Sequence, residues 1–161
     1  RLTVKAPARL PYLAMGYHAP VVRNPGTDWE PYALEMLAGV LDGNESARLN
    51  KELVREQRIA SSAGAGYDST ARGPGMFYLD GTPSEGKTVG DLETALRAEV
   101  EKLIREGVTE EELARVKAQV VAGHVFQLDS MFYQALRSGP LESIGMSPRD
   151  GETMLKKLFE G

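Results

Sequence analysis

The stretch Ser46–Ser62, SARLNKELVREQRIASS, decides the fold. Leu49 and Leu53, then Val54 or Gln57, fall at helical spacing. Arg48, Lys51, Glu52, Arg55, Glu56 and Arg58 keep the other sides polar, so this part reads as a charged helix. From Ile59 the period changes to two. Ile59, Ser61, Ala63, Ala65 and Tyr67 fall on one face of a strand, and Ala60, Ser62, Gly64, Gly66 and Asp68 on the other. This strand is almost bare of bulk. Ala, Ser and Gly let another backbone come close, either an overlying helix or a bound peptide.

Working outward, Leu2–Ala6 alternates and predicts a short strand, and Pro7 and Pro11 bracket a connection to a second one at Tyr12–His18. Thr27 and Glu30 have the spacing of a capping box. The helix it opens runs to about Leu41 with Leu34, Leu37, Ala38 and Leu41 on one face, and Asp42-Gly43-Asn44 stops it. Downstream, Thr70–Gly75 is a turn and Met76–Asp80 returns as hairpin partner of Ile59–Asp68. Leu92, Leu96, Val100 and Leu103 mark the buried stripe of a helix from about Val89 to Glu106, stopped by Gly107. A second capping box, Thr109 and Glu112, opens a helix that carries apolar residues through Leu128 and extends past Phe132 to Arg137. Ser138-Gly139-Pro140 breaks it, and Ser147–Gly151 precedes a last amphipathic piece, Glu152–Phe159. The order β-β-α-α-β-β-α-α predicts one α+β domain over residues 1–161. Its architecture is a two-layer sandwich, a mixed and mostly antiparallel sheet with helices on one face.

The 161 residues suffice for a core without staples, and 42% apolar with 26% charged residues is ordinary for a globular chain. A net charge of −4 gives no basic footprint for nucleic acid. The absence of cysteine excludes disulfide scaffolds, thiolate metal sites and cysteine nucleophiles. No apolar run approaches the roughly 18 residues of a membrane span. The chain opens RLTVKAP, without an initiating Met and on a strand-like stretch, and reads as an excised domain of a longer protein.

Gly81–Thr88, GTPSEGKT, satisfies the P-loop pattern, with Lys87 placed to reach phosphates and Thr88 to bind Mg²⁺. A nucleotide site also needs a parallel sheet with further strands after the loop's helix, whereas everything after Lys87 reads as helix, and Pro83 removes one amide from the cradle. Phosphate binding at Gly81–Thr88 is therefore the minor alternative. The two histidines, His18 on a strand and His124 in a long helix, lack the paired spacing of a zincin site, so no metal is expected on this chain. There is no G-x-S-x-G for serine hydrolase chemistry. The acidic run after Thr109 serves a helix N-terminus. Trp29, beside the first capping box, is open to packing or to a partner.

Three segments in order, PYALEMLAGVLDG, then SARLNKELVREQRIASS with its Ala/Gly strand, then GVTEEELARVKAQ, resemble the pitrilysin/insulinase family of zinc metallopeptidases. The likeness is to the C-terminal half that carries no metal, and it extends from about Leu10 to about Leu141. The resemblance implies a non-catalytic, substrate-enclosing domain of a zinc-dependent endopeptidase. It would close on a peptide with a metal-binding half, in the same polypeptide or a separate subunit, and zinc would sit in that other half. A structural or assembly role, as in non-peptidase members of the family, is the alternative. A surface meant for a partner also offers this fragment a route to a homodimer. Many members supply an Arg and, seven residues on, a Tyr to the substrate. These positions fall at Val54 and Ser61, neither of which matches: either a divergent subgroup uses Arg55 or Arg58 instead, with Ser61 donating one hydrogen bond to the substrate, or the parent has lost activity.

Overall fold

The computed structural model describes residues 1–5, 7, 9–128, 139 and 141–160. Three strands, β1 (Leu13–Ala19), β2 (Ala60–Tyr67) and β3 (Gly75–Pro83), form an antiparallel sheet in the order β1-β3-β2. Helix α1 (Glu30–Asp42) and a π-helix (Asn50–Glu56) lie between β1 and β2. Helices α2 (Val89–Glu106), α3 (Glu110–Leu128) and α4 (Pro148–Glu160) follow β3. The chain is an α+β fold, as its pattern predicts.

The central strand sets the layers. Gly75, Phe77, Leu79, Gly81 and Pro83 are buried, while Met76 and Tyr78 are exposed, so one face of β3 is covered. Leu79 meets Leu41, Leu49, Leu53, Leu92 and Leu96 in the main core, each at most 2% exposed. A second cluster joins Tyr32, Met36 and Val40 of α1 to Val116 of α3 and Met154 and Leu158 of α4. Helix α1 thus contributes to both cores. The small residues of β2 admit side chains: the Tyr78 ring lies over Gly66, and the carboxylates of Asp42 and Asp80 flank Gly64.

Several boundaries differ from the sequence expectation. Leu2–Lys5 forms no strand, and Leu2 and Val4 are exposed. Alternation alone is not enough where no neighbouring strand takes up the backbone hydrogen bonds. The observed order therefore begins with one strand. The Thr27–Glu30 capping box does not form: Trp29 is the N-cap without a side-chain bond. Asp28 instead accepts the amides of Arg23 and Asn24, each at 2.8 Å. A register shift between Ala60 and Ser62 breaks the predicted face of β2, burying Ala60 and Ala63 and exposing both Ser61 and Ser62. Helix α2 has the predicted bounds, and Leu92 and Leu96 are fully buried. The predicted extension past Phe132 and the break around Ser138 and Pro140 lie outside the described residues. Among the described residues no helix is long and apolar enough to cross a membrane.

Candidate functional site

The segment leading into β2 is fixed at both ends. Leu49 and Leu53 are its buried anchors, at 1% and 0% exposure. The amide of Gln57 donates to Glu52 O at 2.9 Å, the i→i+5 bond of a π-turn. Beyond it, Ile59 N–H donates to Leu53 O (2.9 Å) and Ile59 O accepts from Ser84 N–H (2.8 Å), tying the segment's exit to the end of β3. Arg58, between the π-helix and β2, is the one non-glycine at positive φ (52°) among the described residues. L-residues with a Cβ rarely adopt that conformation.

The other end is clamped by charge. Arg48 donates from Nε to Glu112 Oε1 (2.5 Å) and from Nη2 to Glu112 Oε2 (2.6 Å) and Gly107 O (2.8 Å). Glu112 also accepts the amide and hydroxyl of Thr109 at 2.9 and 3.0 Å, so the predicted capping box forms and serves the clamp as well. The Arg48 guanidinium, with these Thr109 donors, holds the Glu112 carboxyl down at about 2. Nearby Glu99 is 5% exposed and its Oε2 has no partner among the described residues. Burial pushes its carboxyl up. The spacing of Thr109 and Glu112 announced the capping box, but nothing local linked Glu112 to Arg48, 64 residues away, or brought Glu99 within reach of the Arg48 charge.

Arg55, Arg58 and Ser61 are all exposed and lie within seven residues at the mouth of β2. Ser61 Oγ donates to Thr82 O at 3.2 Å, and Val54 is half-buried against the main core. On α1, Asp42 Oδ2 accepts the amide of Ala65 at 3.2 Å, capping a position on the edge strand β2. A groove of about 500 Å³ opens between β1, α1 and α2, lined by Tyr17, Leu34, Leu37, Phe77 and Leu103. Trp29, 70% exposed, stands at its rim.

The P-loop-like stretch is built differently. Gly81, Thr82 and Pro83 belong to β3, the Ser84 amide is used on Ile59 O and the Lys87 amide on Ser84 O. Thr88 caps α2: its Oγ accepts from Asp91 N–H (3.1 Å) and donates to Asp91 Oδ2 (2.7 Å). The antiparallel sheet and these committed groups make it a strand end, a turn and a cap. For a metal, the donor set does not fit: His18 is exposed on β1, the side chain of His124 lies outside those described, and among the described residues no three of His, Asp and Glu are grouped to hold an ion.

Compared with known proteins, residues 2–120 match the model of the Peptidase M16 inactive domain. No curated protein matches. The chain is similar to the inactive peptidase domain of a candidate zinc protease from Bordetella parapertussis, at 18% identity and a TM-score of 0.80, covering 99% of this chain and 82% of that one. It is also similar to a protease from Helicobacter pylori, at 22% identity and a TM-score of 0.72, covering 97% of this chain but 38% of that one. A peptidase M16 inactive domain from Pseudomonas fluorescens matches at 16% identity and a TM-score of 0.72, covering 93% of this chain and 34% of that one. At these identities the solved structures speak for the fold.

Proposed function

The chain belongs to the Peptidase M16 inactive-domain family, the non-metal half of the pitrilysin-type fold, and from that premise we propose that it is the substrate-enclosing half of a zinc-dependent endopeptidase. The family match over residues 2–120 carries this reading. The zinc that such a peptidase uses would supply an activated water from the other half, and no step through a metal is assigned to residues of this chain.

This chain's part is to bind and hold. The mouth of β2, with Arg55, Arg58 and Ser61 exposed, is the surface offered to peptide. The Arg48–Glu112 clamp fixes the π-helix behind it, so the surface is set before substrate arrives. The edge strands β1 and β2 offer backbone to an extended chain by strand addition. On β2 the Ala65 amide is already occupied by Asp42, so an added strand must displace that carboxylate or pair on either side of it.

The test is cleavage of a quenched, unstructured peptide by the metal-carrying half with and without this domain. Cleavage is expected when both are present and is abolished by a chelator. A metal-carrying half whose rate is unchanged by this domain would sink the proposal.

A further inference from the structure

We propose that Arg55 and Arg58 form a recognition point for a carboxylate on the enclosed peptide, an inference that rests on the peptide-enclosing reading above. Within Arg48–Arg58 the other charges are taken. Arg48 pairs with Glu112, Lys51 with Glu56 (3.9 Å) and Glu52 with Lys102 of α2 (3.5 Å). Arg55 and Arg58 remain, both exposed and without a carboxylate partner among the described residues, in a chain of net charge −4. A helix C-terminus favours a cation, which accounts for Arg55 in the last turn of the π-helix. Arg58, just past the C-cap Gln57, holds a positive φ where Gly or Asn would be relaxed, which the helix end does not account for.

The backbone on each side of Arg58 is pinned through Gln57 to Glu52 and through Ile59 to Leu53 and Ser84. Two guanidinium stems therefore leave a fixed backbone three residues apart. Planar guanidinium forks take carboxylates bidentately, and less freedom is lost on binding when the backbone is already set. The carboxylate has two chemical sources, an Asp or Glu side chain or the peptide's free C-terminus.

The experiment is kcat/KM of the two-half assembly on three quenched peptides of one neutral sequence. One is a C-terminal amide, one an amide with a single internal Glu, and one has a free C-terminal carboxylate. At least one carboxylate-bearing peptide is expected to be preferred about three- to tenfold over the neutral amide, less at high salt. Whether the internal Glu or the free terminus carries the preference identifies the source. The preference should vanish in the Arg55→Gln/Arg58→Asn double variant, where Asn tolerates the left-handed backbone and a thermal melt confirms the fold. Equal kcat/KM on all three peptides, or a preference that survives in the double variant, overturns the inference while leaving the enclosing role intact. Failure to cleave any of them removes that role and this inference with it.

Discussion

Replacing Glu112 by Gln keeps the shape of the side chain and an oxygen for the Thr109 cap while removing the charge that faces Arg48. The magnitude follows from the depressed carboxyl. Unfolded, Glu112 titrates near 4.5, and folded it titrates at about 2. At 1.36 kcal/mol per unit, the ionised form stabilises the fold by about 3 kcal/mol relative to the neutral one. Its side chain is 15% exposed, so little of this is lost to solvent screening. It also agrees with the roughly 3–5 kcal/mol expected when one partner of a buried ion pair is removed. For a depressed carboxyl, this stability is present above the unfolded value and is lost as pH falls through 4.5 towards 2. Glu112→Gln should lower the melting temperature by about 6–12 °C at pH 7 for a chain of this size. The gap between the two proteins should close as the pH approaches 2, and thermal melts by circular dichroism over that range read both. Melting temperatures that coincide at pH 7, or a gap of constant size down to pH 2, would refute the clamp as an ionic device.

Thr88→Ala removes both hydrogen bonds of the Thr88 hydroxyl in the α2 cap, leaving the backbone N–H to Asp91 Oδ2, and should cost about 1 kcal/mol by denaturant titration. Mg-ATP is expected to leave the melting temperature unmoved in both the variant and the parent, and a shift in the parent alone would restore the phosphate-site reading of Gly81–Thr88. Glu99→Gln should hold or raise stability at pH 7, since burial penalises the ionised carboxyl and its Oε2 lacks a partner. The folded value is raised, so the difference should shrink as pH falls and Glu99 takes up its proton. A marked loss of stability at pH 7 would show that the charge is needed to balance Arg48 and Lys102. Leu53→Ala empties the centre of the main core and should cost about 2–5 kcal/mol in urea. A loss below 1 kcal/mol would mean the π-helix is not anchored through this side chain.

What was legible in the sequence is what local chemistry dictates. The bounds of α2, the Thr109–Glu112 box and the β2–β3 hairpin each rest on signals within a few residues, namely apolar spacing, cap pairs and a turn. What was not legible depends on partners elsewhere. The alternation at Leu2–Ala6 looked like a strand, but a strand exists only where another backbone meets it. Thr27 and Glu30 had capping spacing, yet Asp28 was drawn to the amides of Arg23 and Asn24, and the helix started at Trp29 without a side-chain cap. Over so short a stretch, α- and π-helices bury the same leucines, so Leu49 and Leu53 predicted a helix without its type. The Thr88 hydroxyl had a capping reading and, as the minor alternative, a metal-binding one, and the antiparallel sheet with the hydroxyl's bonds to Asp91 decides for the cap.

The same dependence on distant partners bears on the peptide. The resemblance puts the positions where many members supply Arg and Tyr at Val54 and Ser61. Val54 is half-buried against the core, and the Ser61 hydroxyl is spent on Thr82 O. Neither residue carries a guanidinium or a phenol, so no rearrangement of side chains recovers those groups there. On the proposed reading, the cationic function moves one and four residues along the chain, to Arg55 and Arg58. That displacement changes what the cations can do. In the last turn of the π-helix and just past its end, next to backbone pinned to β3 through Ile59, they are placed to select and hold a charged peptide. A peptide bound mainly by charge at this point should be captured less well as salt rises, with KM climbing while kcat stays level. If salt lowers kcat with KM unchanged, the arginines act on the reacting centre, and the division between holding and catalysing half must be redrawn.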